Sequence, residues 1–275
     1  MPSHQCPDSP KVTSVHEVSS KEISEQDSYE LEHSERTFLA GPRSRISDLT
    51  TLFRVSWDFI KAFRVLHFAG PCVTIFGSAR VKEGTTYYEM TRAVAKRMAE
   101  LGFTIMTGGG PGIMEAGNRG AFENGGRSVG VNIKLPFEQA GNPYVQREVT
   151  MRYFFTRKTV LVKYSYAFIV MPGGAGTLDE MFETMTLIQT GKIRNFPIVL
   201  MGRDYWQPLM DFIYKMADDG MISPEDPDLI FFTDDIEDAV AHIQRHAIRQ
   251  FGLRQKRLPR RISLLGEKDL LQHNK

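Results

Sequence analysis

From Cys72 onward the chain alternates short apolar runs with amphipathic segments, and this pattern narrows the available folds more than any other feature. VTIFGS (73–78), FTIMT (103–107), SVGVNI (128–133), VQREVT (145–150), AFIVMP (167–172) and PIVLMG (197–202) read as strands by length and β-branched content. Helical spacing is predicted over 86–101, 113–123, 152–165, 176–189, 206–216 and 234–246. Strands separated by helices need right-handed crossovers, which give a mostly parallel sheet covered on both faces. The expected fold is therefore α/β, a Rossmann-like doubly wound parallel sheet over 70–247. No apolar run is long enough to cross a bilayer.

The flanking segments differ in composition. Residues 1–44 are rich in Ser, Glu and Lys and poor in large apolar side chains, so they are read as a disordered polar tail. Residues 45–69 form an added N-terminal amphipathic helix, with Leu49, Leu52, Phe53, Phe59, Ile60, Phe63 and Leu66 at helical spacing. That apolar surface is more than one edge of a small sheet covers, so a homodimer or larger homo-oligomer is expected, with the helix at the contact. Residues 248–275 are a basic tail with Arg249, Arg254, Lys256, Arg257, Arg260 and Arg261, read as a solvated terminus without the aromatic residues that stack bases. The net charge of +1 argues against a whole-surface nucleic-acid or membrane partner. Cys6 in a polar tail and Cys72 in an apolar run make no disulfide framework. With neither an apolar leader nor an Arg-rich one at the start, a cytoplasmic location is expected.

Ligands of open α/β sheets bind beyond the carboxyl ends of the strands. Three turns there are small or glycine-rich: Gly77-Ser78-Ala79, Gly108-Gly109-Gly110-Pro111-Gly112 and Pro172-Gly173-Gly174-Ala175-Gly176-Thr177. Glycines let backbone amides reach an anion, and a helix N-terminus adds positive potential. Each turn alone could be a plain strand-to-helix connection; three on one edge point to a nucleotide or sugar phosphate. The dinucleotide fingerprint is missing, because Ile113 and Asp179 stand where a third glycine would, and neither turn has the Lys-Ser/Thr of a P-loop.

Thr177-Leu178-Asp179-Glu180 has the form of a capping box, so Glu180 either caps its helix or stands in the first turn beside a bound anion. Arg157 shares a helical stripe with Phe154, Leu161 and Tyr164, and a guanidinium among apolar groups needs an anionic partner, structural or substrate. Lys158 adjoins it on another face. Glu138 follows the third strand and reaches the same edge, or is a solvated loop residue. No His spacing suits a metal, there is no serine elbow or Cys/His pair, and no cofactor is implied.

With these motifs the chain resembles the Lonely Guy family, the cytokinin riboside 5′-monophosphate phosphoribohydrolases, often mislabelled lysine decarboxylases. Pro172 through Glu180 looks like the family's PGGxGTxxE motif, with Arg157-Lys158 at the family's spacing upstream and Gly108–Gly112 plus Met114 similar to its second glycine turn. The Leu135-Pro136-Phe137-Glu138-Gln139 loop resembles the larger bacterial branch, and Ala175 replaces the Tyr of the plant motif. The resemblance implies a homo-oligomeric enzyme that hydrolyses the N-glycosidic bond of a purine ribonucleoside 5′-monophosphate. It makes Arg157 and Glu180 the catalytic pair. It assigns substrate contacts to Glu138, Lys158, Gly173, Gly174, Gly176, Thr177 and Thr186, to which the glycine-turn reading adds Gly77, Ser78, Gly109 and Gly110. Two other classes compete: a pyridoxal phosphate decarboxylase, for which no lysine with a pyridinium partner is evident, and a non-catalytic nucleotide carrier or sensor, which would not need Glu180.

Overall fold

The computed structural model describes residues 35–42, 44–134, 141–194 and 196–251. The chain divides at Gly41 into two units. Of the first, the described residues hold one helical turn, α1 (Glu35–Phe38), inside the segment expected to be a disordered tail.

Among the described residues the second unit is built on seven parallel strands: β1 (Cys72–Phe76), β2 (Thr104–Thr107), β3 (Ser128–Ile133), β4 (Arg147–Met151), β5 (Ser165–Val170), β6 (Ile198–Leu200) and β7 (Ile230–Phe232). Their order is β4-β3-β2-β1-β5-β6-β7, so the winding reverses between β1 and β5. There the crossovers leave the two strands in opposite directions, which opens a crevice at their carboxyl ends.

Side chains alternate across the sheet and bury two separate cores. On one face Phe76, Phe168, Val170, Ile198 and Leu200 meet helices α2 (Arg45–Leu66), α5 (Phe154–Tyr164), α6 (Ala175–Gln189) and α7 (Arg203–Asp218). On the other, Val73, Ile75, Ile105, Ile169 and Val199 meet α3 (Thr86–Glu100), α4 (Ile113–Phe122) and α8 (Ile236–Phe251). The fold is thus the doubly wound sheet that the alternation implied.

Three details depart from the sequence reading. β7 went unread, because a three-residue strand behind the acidic turn Asp226–Leu229 has too few positions to show a period. Strand boundaries shift by one to two residues: the chain leaves β1 before Gly77, β4 starts at Arg147, β5 begins at Ser165 directly after α5, and β6 ends at Leu200. The wide apolar face expected on the N-terminal helix is split. Ala62 and Leu66 are buried in the core with Phe59 and Val65 packed against it, whereas Leu49, Leu52, Phe53, Ile60 and Phe63 stay exposed in the single chain. Among the described residues no helix is long and apolar enough to cross a membrane.

Candidate active site

The three small turns meet at the crevice because they hydrogen-bond one another. Ser78 N–H donates to the Pro172 carbonyl at 2.9 Å, and the Ser78 carbonyl accepts from Ile113 N–H at 3.0 Å. A Cβ on Gly77 would come within 2.5 Å of Ile113, and one on Gly112 (φ +68) within 2.5 Å of the Ser78 carbonyl. Gly77 and Ser78 therefore serve the junction itself, and the Ser78 hydroxyl accepts from Arg80 N–H.

The second turn is clamped by a buried polar network that sequence reasoning missed. Thr107 Oγ1 accepts from Gly109 N–H and pairs with Asn118 Oδ1. Asn142 donates through Nδ2 to the Gly110 carbonyl and to Asn118 Oδ1, both at 3.0 Å, while its own N–H meets the Gly109 carbonyl. The amide of Gly109 and the carbonyls of Gly109 and Gly110 are thus engaged inside the protein. A signal was available: Asn118 falls among Ile113, Ala116, Gly117 and Ala121 on the buried face of α4, where a polar residue needs partners.

Arg157 lies over this turn. Its Nε donates to the Val131 carbonyl at 2.8 Å, and a Cβ on Gly108 would overlap its Nη2. Burial pulls the guanidinium below its ordinary pKa, and the neighbouring Glu180 carboxylate works against that fall. Glu180 is thus the carboxylate whose charge acts on Arg157, without a direct ion pair between the two. Of the stripe that predicted it, Leu161 is buried, but Phe154 is exposed.

Glu180 itself corrects the capping-box reading. Helix α6 begins at Ala175 with Gly174 as N-cap and no side-chain cap, so Thr177 lies in the first turn and Glu180 in the second. Glu180 is 5% exposed, on the buried face with Thr177, Met181, Thr184 and Met185. Its Oε2 has no hydrogen-bond partner. Burial raises its pKa to about 7; Arg157 and Lys158 oppose that rise, whereas Glu183 and Asp179 add to it. Lys158 is held by Asp179 at 3.0 Å and Glu183 at 2.9 Å.

Beside Glu180, the start of α6 is open. Nothing lies within 4 Å of a Cβ placed on Gly174 or Gly176, and no acidic side chain stands in the first turn. The first amides of a helix lack intrahelical partners, so this end suits an anion. Gly173, by contrast, is packed against Thr177 and Ser78. Its carbonyl accepts from the Tyr205 hydroxyl at 2.8 Å, a support from α7 that no motif indicated.

The structure therefore brings Gly77, Ser78, Gly109, Gly110, Arg157, Lys158, Gly173, Gly174, Gly176, Thr177 and Glu180 to one edge of the sheet. Thr186 lies farther along α6, exposed, with its hydroxyl donating to the Phe182 carbonyl. Glu138 lies outside the described residues. Among the described residues no cluster of His, Cys, Asp and Glu suits a metal ion.

Comparison with known proteins adds four findings. The family described as "Possible lysine decarboxylase" matches residues 114–243. A cytokinin riboside 5′-monophosphate phosphoribohydrolase of Rhodococcoides fascians is 30% identical over 176 residues, which span 62% of this chain and 88% of that protein. One from Arabidopsis thaliana is 29% identical over 175 residues, spanning 62% of this chain and 80% of that protein. Among solved structures, a structural-genomics target designated TM1055 aligns over 64% of this chain and 99% of its own length, with 24% identity and a TM-score of 0.50. That likeness speaks for the fold alone.

Proposed function

This chain belongs to the family of the cytokinin riboside 5′-monophosphate phosphoribohydrolases, and from that premise we propose that it hydrolyses the N-glycosidic bond of a purine ribonucleoside 5′-monophosphate. The substrate is an N6-prenylated adenosine monophosphate or AMP; the products are the free base and ribose 5-phosphate. The observation that carries this reading is Glu180: a buried carboxylate with an unpartnered oxygen, beside an arginine and the uncapped start of a helix.

The steps follow from this arrangement. The 5′-phosphate binds at the amides of Gly174 to Gly176, beside Thr177, whose own N–H is taken by the Gly174 carbonyl; there the helix dipole and the bare glycines accept it. This anchoring orients the ribose toward Glu180. The C1′–N bond breaks through an oxocarbenium-like transition state, as in glycoside hydrolysis generally. The Glu180 carboxylate stabilises the positive ribose and takes a proton from the water whose oxygen bonds to C1′; that proton passes on to the departing base, so the carboxylate is restored and one water is consumed. Arg157 favours the ionised form of Glu180 against the pull of burial, and Lys158 adds positive potential.

The test is release of ribose 5-phosphate and free base from AMP and from N6-isopentenyladenosine monophosphate. Removing one preorganised electrostatic group commonly costs about 2.7–4 kcal/mol, so Glu180→Gln is expected to lower turnover on the order of a hundredfold or more. Nucleotide binding without release in the unmodified protein would make it a carrier. Undiminished turnover in Glu180→Gln would remove the carboxylate from the mechanism.

A further inference from the structure

Asp58 sits in the middle of α2 with 0% of its surface exposed, one residue from the exposed Trp57 and two from the exposed Ile60. A carboxylate is rarely buried without partners. Asp58 has them at the junction of β4 and α5: Oδ2 accepts the backbone N–H of Arg152 at 2.8 Å, and Oδ1 lies 3.4 Å from Arg152 Nη1. Lys61 Nζ is 3.3 Å from the same oxygen.

The receiving helix lacks an anionic cap of its own. Its N-cap, Tyr153, makes no side-chain cap bond, and its first turn contains no acidic residue. Arg157 stands one turn in, its N–H bonded to the Tyr153 carbonyl at 3.1 Å. A single helical turn therefore separates the backbone that Asp58 holds from the residue whose guanidinium is seated above Gly108 and acts by its charge on Glu180. At its far end that guanidinium is fixed by the Val131 carbonyl above Gly108, so little slack remains to absorb a shift of the helix start.

We infer that Asp58 is a positioning residue: by tying α2 to the start of α5 it sets Arg157 against Glu180. This inference deepens the proposed function and rests on it for its kinetic consequences. It makes the N-terminal helix part of the catalytic machinery, whatever else its exposed face contacts.

The charged groups at the two ends of this linkage are Lys61 and Arg152 around Asp58, and Arg157, Lys158, Asp179 and Glu183 around Glu180. If Arg157 is displaced, Glu180 loses the group that most favours its ionised form, and it must titrate higher. This can be read without any turnover. The glutamate side-chain carboxyls of the full-length protein are labelled with carbon-13, and the Glu180 resonance is identified by its absence in Glu180→Gln.

In Asp58→Ala the Glu180 titration is expected to move up by about 0.5 pH unit or more, since removing a close opposite charge commonly shifts a carboxyl by that much. With substrate, kcat falls about tenfold or more for a small misplacement, KM changes little, and the acid limb of kcat/KM moves up in parallel. Asp58→Asn keeps an acceptor for the Arg152 amide and retains most of the activity. If Asp58→Ala does not fold, Asp58→Glu, which displaces the carboxylate by one methylene, is read in its place with the same expected direction. A folded variant of either kind whose Glu180 titrates as in the unmodified protein overturns the inference, as does Asp58→Asn failing as badly as Asp58→Ala. A shifted titration in a protein that releases no ribose 5-phosphate would sink the proposed function and leave the positioning role standing.

Discussion

The two glycine-rich turns of the site look alike in sequence and are used in opposite ways. In Gly108–Gly112 the glycines are bare because the protein itself fills the space. The Arg157 guanidinium occupies the place of a side chain on Gly108, and Ser78 occupies that on Gly112. In Gly173–Thr177 only Gly173 is packed so, against Thr177; Gly174 and Gly176 face open space at the start of α6. The first turn is a socket for the Arg157 side chain, and the second leaves room for something the chain does not supply. A glycine count cannot separate these uses. What a Cβ would meet does.

Substitutions can break this contrast, and the largest effect is expected at Gly108. Alanine there collides with Arg157 and Met114, so Gly108→Ala should lower kcat by tens of fold or more, on the order of the loss expected for a misplaced catalytic group. Steady-state kinetics on the folded variant checks this; unchanged kcat would mean that Arg157 is not held where it acts. Next is Gly112→Ala, which combines φ +68 with a 2.5 Å approach to the Ser78 carbonyl. It should destabilise the fold by about 1–3 kcal/mol, read from urea unfolding.

The pH profile comes third. With Glu180 near pKa 7 and active as the anion, kcat/KM should fall about tenfold per pH unit below that value. A flat profile from pH 5 to 8 would separate Glu180 from the chemistry. Stability runs the other way. A carboxyl whose pKa is raised on folding stabilises the protein while protonated and loses that contribution as pH rises from the unfolded value of about 4.5 through about 7. The Tm of Glu180→Gln relative to the unmodified protein should therefore climb over that window. The smallest effect is expected at Gly176→Ala. It should raise stability by about 0.5–1 kcal/mol, because alanine suits the helix better, while raising KM for the monophosphate a few fold by crowding the anion site. A Gly176→Ala protein that loses stability would place Gly176 with the packed glycines.

Much of the site was legible before any coordinates. Strand–helix alternation placed every glycine turn at a strand's carboxyl end, and the motif from Pro172 to Glu180 with Arg157 upstream picked out two residues that the fold brings to the same edge. The reading went wrong where it took a local pattern for local structure. Thr177-x-x-Glu180 has the spacing of a capping box, but the N-cap is Gly174, three residues before Thr177, so Glu180 turns inward and its burial, not capping, becomes its defining property. The Asn118–Asn142 network, Tyr205 and Asp58 left little or no trace, because each acts through a partner distant in the chain.

The sequence by itself determined the fold class and which residues lie at one edge of the sheet, because side-chain period and strand–helix alternation are local properties that topology rules carry into three dimensions. Only the tertiary structure decided what those residues can do. The ionisation of Glu180, the seat of Arg157 above Gly108 and the open start of α6 depend on desolvation, on charge across helices and on which space other segments leave empty. These are sums over groups far apart in the chain, and no local pattern contains them.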